Sequence, residues 1–223
     1  MDTIEYAPGR HADIYGEPAD APLLLWHGTQ TDARATVARL ATALVEWGFG
    51  VVAPDWNSHA PDHGRSDLLA SVDCVRDWAA APDRLTLVGW SLGGAAAAGL
   101  TLHADELDVS LAHTVCLAGA FMVADPISGV PPADALPRAV AGAPFTLLHG
   151  RADDVVGVEV SRRFAQRLES AGWPVRVVEL DTDHGGIAGA CYDAAADRYA
   201  PSDDPSALLA AQQVAELIAA VRQ

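Results

Sequence analysis

The stretch Leu85-Thr86-Leu87-Val88-Gly89-Trp90-Ser91-Leu92-Gly93-Gly94, followed by the small-residue run from Ala95 to Gly99, constrains this chain more than any other. Its apolar residues read as a strand buried on both faces. Gly89-Trp90-Ser91-Leu92-Gly93 reads as a sharp turn, and the run behind it as a helix. A serine at the apex of so tight a turn sits in a strained backbone, and side chains at Gly89 and Gly93 would collide with neighbouring backbone. The first free N–H groups of the following helix would then point at whatever approaches the serine.

The rest of the chain repeats this rhythm. Thr3 to Ala7 and Arg10 to Tyr15 read as two short strands joined at Pro8-Gly9. Pro22-Leu23-Leu24-Leu25-Trp26 and Phe49 to Ala53 read as buried strands, with a helix from about Ala33 to Trp47 between them, capped by Asp32. A polar loop from Trp56 to Ser66 precedes a helix over about Asp67 to Ala80. The helix after Ser91 runs to about His103. Strands at Thr114–Leu117, Phe145–Leu148 and Val175–Leu180 follow, with a helix over Glu159–Ala171 and a last helix from about Pro205 to Val221, capped by Asp204 or Ser202. Strands alternating with helices imply an α/β domain. A mainly parallel sheet of eight strands carries helices on both faces, and an antiparallel hairpin lies at its N-terminal edge. Residues 1–223 read as one domain, with 121–142 as its only candidate insertion and no large cap.

Charge and composition exclude several classes of function. The net charge is −16, with 14 arginines and no lysine against 30 acidic residues. Such a surface repels nucleic acid and anionic membranes. No segment reaches the roughly 18 apolar residues that span a bilayer, and the N-terminus lacks the basic and apolar regions of a secretory signal, so a cytoplasmic setting is expected. Three cysteines, Cys74, Cys116 and Cys191, form neither a metal-binding spacing nor a disulfide framework.

In a parallel sheet, ligands bind beyond the carboxyl ends of the strands. His27, Asp55, Ser91, Asp153 and His184 all fall there, each after a different strand. Serine is a poor nucleophile without a base. Histidine has the right pKa for that task, and the histidine in turn needs an acceptor to fix its tautomer.

The matching residues are His27-Gly28, Pro54-Asp55, Gly89-Trp90-Ser91-Leu92-Gly93-Gly94, His149-Gly150-Arg151-Ala152-Asp153-Asp154-Val155-Val156 and Asp183-His184-Gly185. With them the chain resembles the α/β-hydrolase superfamily, in particular its small, cap-poor members such as the dienelactone-hydrolase-like and carboxylesterase-like enzymes. Dienelactone hydrolases carry cysteine where this chain has Ser91. The resemblance implies Ser91 as nucleophile, His184 as base and Asp153, rather than Asp154, as the acid, in the Ser…Asp…His order. It implies an oxyanion hole of the Leu92 N–H and a second N–H from the loop after the third strand, Thr29 before Gln30. Trp90 is expected to shape the acyl pocket or to pack beneath it.

The expected reaction is hydrolysis of a carboxylic ester of a small soluble substrate through an acyl-enzyme on Ser91, with no metal or organic cofactor. His59, Asp62 and His63 could suggest a metal site, but such loop clusters are common in acidic chains. A thioesterase or acyltransferase would use the same residues, and a non-catalytic binding protein could share the fold. The loops at 56–66 and 121–142 are left to determine the substrate.

Overall fold

A computed structural model of the chain describes residues 1–18, 22–136 and 139–222. The hairpin of β1 (Asp2–Ala7) and β2 (Arg10–Tyr15) turns at Pro8-Gly9, where Gly9 adopts φ 71°. It leads into β3 (Pro22–Trp26), β4 (Gly50–Pro54), β5 (Thr86–Trp90), β6 (His113–Leu117), β7 (Phe145–Gly150) and β8 (Val175–Leu180). The eight strands form one sheet in the order β1-β2-β4-β3-β5-β6-β7-β8. β1/β2 and β2/β4 pair antiparallel, and every later pair is parallel. Strands β3, β4, β5 and β7 are buried along their whole length, which is why they read as unbroken apolar runs.

Helices cover both faces. α1 (Ala38–Glu46) and α6 (Pro205–Ala219) pack Leu40, Leu44, Val214 and Ile218 on one face. α2 (Arg65–Trp78), α3 (Leu92–Leu102), the short α4 (Pro132–Ala135) and α5 (Glu159–Ser170) pack Leu68, Val72, Ala97, Phe164 and Leu168 on the other. The candidate insertion at 121–142 contributes Phe121, Ile127 and Leu136 to this second core; residues 137 and 138 within it lie outside the described residues.

Three local expectations change. The helix expected from Ala33 begins as a 3-10 turn over Arg34–Val37, and Asp32 does not cap it. Asp32 instead adopts φ 51° and pairs with Arg10, because the chain is still turning out of the loop after β3. α2 starts at Arg65, two residues early, because Asp62 accepts the Ser66 N–H at 2.9 Å. Asp67 is thereby free to accept the Asn57 N–H at 3.0 Å. Finally, the segment after His184 forms a separate two-stranded antiparallel ribbon, β9 (Ala190–Asp193) and β10 (Arg198–Pro201). At the start of α6, Asp204 is the cap, accepting the Ser206 N–H at 2.8 Å.

Among the described residues no helix is long and apolar enough to cross a membrane.

Candidate active site

The turn between β5 and α3 is built by contact. A Cβ on Gly89 would run into the Gly93 carbonyl, and a Cβ on Gly93 into the His27 carbonyl. Only glycine lets the helix start this close to the strand and the β3 loop. Ser91 at the apex adopts φ 56°, ψ −118°, a conformation that a non-glycine residue adopts only under strain. The strain is held by hydrogen bonds: the Ser91 N–H donates to Leu117 O at 2.9 Å, and its carbonyl accepts from Gly94 N and Ala120 N at 3.0 Å each.

The sheet brings Ser91, His184 and Asp153 together from three loops at one edge. Ser91 Oγ lies 3.0 Å from His184 Nε2, and His184 Nδ1 lies 2.8 Å from Asp153 Oδ2. All three are buried. The other oxygen of Asp153 accepts the backbone N–H groups of Val155 (2.9 Å) and Val156 (2.8 Å). Burial alone would raise the Asp153 pKa. Hydrogen bonds from His149, His184 and the Val156 N–H outweigh it and hold the carboxyl well below the usual carboxylate range. Of the two adjacent aspartates, Asp153 meets the histidine, while Asp154 is exposed.

Trp90 is buried under this arrangement. Its Nε1–H donates to the His184 carbonyl at 2.8 Å, and its ring meets those of His184 and Tyr199 at 5.3 and 5.0 Å. Tyr199 comes from the β9–β10 ribbon, and sequence reasoning missed it. Its backbone is clamped by the Gln30 side chain, which accepts the Tyr199 N–H at 2.6 Å and donates to the Tyr199 carbonyl at 3.3 Å. The loop that follows β3 is thereby tied to the β9–β10 ribbon that packs Tyr199 against His184.

The loop after β3 passes directly over the elbow: a Cβ on Gly28 would stand 3.2 Å from Ser91 Cβ. In it the Gln30 N–H already donates to Gly28 O at 2.8 Å, while the Thr29 N–H has no hydrogen-bond partner among the described residues. Leu92 is the first residue of α3, so its N–H has no intrahelical acceptor. Among the described residues, therefore, the N–H of Leu92, next to Ser91, and that of Thr29, next to the Gly28 that approaches it, have no acceptor.

The remaining strand-end polar residues hold loops. Asp55 turns to Arg34, accepting both its N–H and its guanidinium. His27 donates from Nδ1 to Gly28 O at 2.9 Å, and its Nε2 accepts from Ala33 N (3.4 Å) and Trp56 N (3.3 Å). Burial, partly offset by the bond to Gly28, lowers its pKa from 6.5 to about 4. The folded chain therefore keeps this ring neutral to lower pH than the unfolded chain does. Its stabilisation is complete above about 6.5 and is lost as pH falls toward 4; that interval corresponds to about 3 kcal/mol. His113, also lowered to about 4 by burial, adds to the same window. Urea unfolding at pH 7.5 and 4.5 should show the loss, and His27→Gln should reduce it.

His59 turns its Nδ1 to the hydroxyls of Thr31 and Ser58, and His63 is exposed. Among the described residues no group of three or more His, Cys, Asp or Glu is placed to hold a metal. A cavity of about 650 Å³ opens beside Leu92, walled by Ser58, His63, Val123, Asp125 and Ile127 from the loops at 56–66 and 121–142. A second, of about 300 Å³, adjoins His184 and is walled by Asp154, Asp183, Tyr192 and Tyr199.

No protein-family model matches the sequence, and no curated protein does. Solved structures do match in fold. The apo form of esterase 2 of Thermogutta terrifontis superposes with a TM-score of 0.75 at 17% identity, over 97% of this chain and 91% of that one. The fold is the α/β-hydrolase fold. Two further structures of the same esterase match over the same shares of both chains. One has butyrate bound (TM-score 0.72, 17% identity), and one is phosphorylated by paraoxon (TM-score 0.72, 19% identity). In this α/β-hydrolase fold, Ser91, Asp153 and His184 follow β5, β7 and β8, as the sequence order led one to expect.

Proposed function

We propose that the protein is a serine hydrolase that cleaves carboxylic esters of small substrates through an acyl-enzyme on Ser91. The observation that carries this reading is the continuous line from Ser91 Oγ through His184 to Asp153, at 3.0 and 2.8 Å, on a strained elbow. His184 Nε2 takes the serine proton as Oγ attacks the ester carbonyl. Its Nδ1–H stays on Asp153, which fixes the tautomer and stabilises the imidazolium. The N–H groups of Leu92 and Thr29 receive the developing oxyanion, each worth about 10²–10³ in turnover. His184 then protonates the departing alcohol, and the same ring activates the water that releases the acid. Side chains and backbone alone perform these steps. The butyrate-bound and paraoxon-phosphorylated forms of the Thermogutta esterase support the reading.

In this scheme Trp90 supports the His184 loop from below. Gln30 is a positioning residue that holds the Thr29 N–H in place. Gln30→Ala is expected to lower kcat about tenfold with KM little changed, because a displaced oxyanion donor is felt in the transition state. Steady-state kinetics on a p-nitrophenyl ester read this split. The cavity beside Leu92 receives part of the substrate, so its two loops set specificity. A cytoplasmic setting agrees with the three unpaired cysteines.

A thioesterase or acyltransferase would use the same groups. A panel of p-nitrophenyl esters and matched acyl thioesters, with and without an added alcohol acceptor, separates them. Faster ester turnover, unchanged by the alcohol, supports the proposal; dominant thioester cleavage or transfer to the alcohol overturns it.

A further inference from the structure

One buried titratable group plays no part in the scheme above. His149, near the end of β7, is fully buried, and its ring is held on both sides. Nδ1 lies 2.7 Å from the hydroxyl of Ser161 on α5, itself buried, and Nε2 lies 2.7 Å from the Val156 carbonyl. The carbonyl can only accept, so Nε2 carries the proton, and in the neutral ring Ser161 must donate to Nδ1. The same nitrogen, Nε2, lies 3.3 Å from Asp153 Oδ2, the oxygen that accepts from His184.

The geometry points to His149 as a second histidine of the site, a positioning residue that shares its Nε2–H with Asp153 and keeps that carboxylate ionised and aimed at His184. This inference rests on the reading of Asp153 as the acid of a serine hydrolase. Groups that can donate then face both oxygens of the carboxylate. Oδ1 takes the Val155 and Val156 N–H groups, and Oδ2 takes the His184 N–H with His149 Nε2 standing 3.3 Å away. A side chain with no exposed surface stays charged only with such a set of donors. The spacing is also economical: the Val156 segment that donates to Oδ1 offers its carbonyl to His149, so one turn of chain fixes both the acid and its second donor.

Other ionisable groups near the pair do not replace this contact. Tyr199 from β10 is pushed up to about 12, by burial first and then by the charges of Asp153, Asp183 and Asp154, so it stays neutral across the working range. Glu179 on β8 is paired with Arg162 at 2.7 Å and Arg151 at 3.5 Å.

His149→Met keeps the bulk of the ring and removes the N–H, whereas His149→Gln restores a donor at about the same reach. A hydrogen bond to a charged group is worth about ten- to a hundredfold in an equilibrium or rate. His149→Met is therefore expected to lower kcat by that factor, leave KM nearly unchanged, and move the acid limb of the pH–rate profile to higher pH. His149→Gln should recover most of the loss. The Asp153 carboxyl carbon, followed by NMR through a pH titration, should titrate at higher pH in His149→Met than in the parent chain.

That NMR reading needs no turnover, so it separates failure of this inference from failure of the ester-hydrolase reading, which Ser91→Ala tests on its own. A folded His149→Met with unchanged kcat and an unmoved Asp153 titration overturns the proposal, as does a Gln variant that loses as much as Met. Should His149→Met fail to fold, Ser161→Ala carries the test. The ring then loses the hydroxyl bond that orients it, and the Asp153 titration should move the same way by less; an unmoved titration there overturns the proposal.

Discussion

Ser91→Ala is expected to lower the turnover of p-nitrophenyl acyl esters about 10⁶-fold, the loss seen when such a serine is the nucleophile. Alanine forfeits the 3.0 Å bond from Oγ to His184 Nε2 but keeps the backbone bonds that hold the turn, from Ser91 N to Leu117 O and from Gly94 and Ala120 to Ser91 O. The variant should therefore fold, with stability changed by no more than about 1 kcal/mol. Ser91→Gly should lose the same activity and gain roughly 1–2 kcal/mol, since glycine accepts the φ of 56° without strain. Urea unfolding beside kcat measures both. An inactive but more stable variant is the signature of a residue kept for chemistry against the preference of the fold.

The second large effect is at the acid. Asp153→Asn is expected to lower kcat about 10⁴-fold, although the two side chains are nearly the same size. The carboxylate accepts on both oxygens: from Val155 and Val156 N–H on Oδ1, and from His184 Nδ1–H on Oδ2. An amide has one acceptor oxygen. If that oxygen faces the backbone N–H groups, the NH₂ faces His184 and forces the wrong tautomer. If it faces His184, the NH₂ opposes two backbone donors and the loop must shift. Asp154→Asn, at an exposed position, should change activity less than twofold. Parallel kinetics of the two variants decide which aspartate serves; a large loss in Asp154→Asn with an active Asp153→Asn contradicts the assignment.

The parts of this structure that were legible from sequence are those where local chemistry is unambiguous. Gly89 and Gly93 flank Ser91 because backbone occupies the space a Cβ would need, and that requirement is written in two positions four residues apart. The runs at 22–26 and 85–90 read as strands because both faces of the sheet are covered, so no polar alternation is needed. The β9–β10 ribbon was not legible. Its strands are four residues long, mostly exposed, and joined across an acidic tip, so neither periodicity nor an apolar run marks them. The start of α1 was misplaced because Asp32 looks like a cap, and only the pairing with Arg10 across the sheet edge shows its other use. The clamp from Gln30 to Tyr199 joins residues far apart in sequence, and the same is true of Trp90 beneath His184 and of His149 beside Ser161. Side chains that hold other side chains leave no spacing rule behind. Ser91, Asp153 and His184 were easier to single out because the proposed chemistry demands particular residue types at particular strand ends.

The central claim is that the Ser91 hydroxyl is activated by His184 and attacks an acyl carbon. A fluorophosphonate, which esterifies only an activated serine, tests it most directly. Peptide mass spectrometry after incubation at neutral pH should find the adduct on the peptide that carries Ser91, at one equivalent per chain, and should find none in Ser91→Ala or, over the same time, in His184→Ala. A folded protein that takes up no label, or one labelled at another serine, would contradict the account.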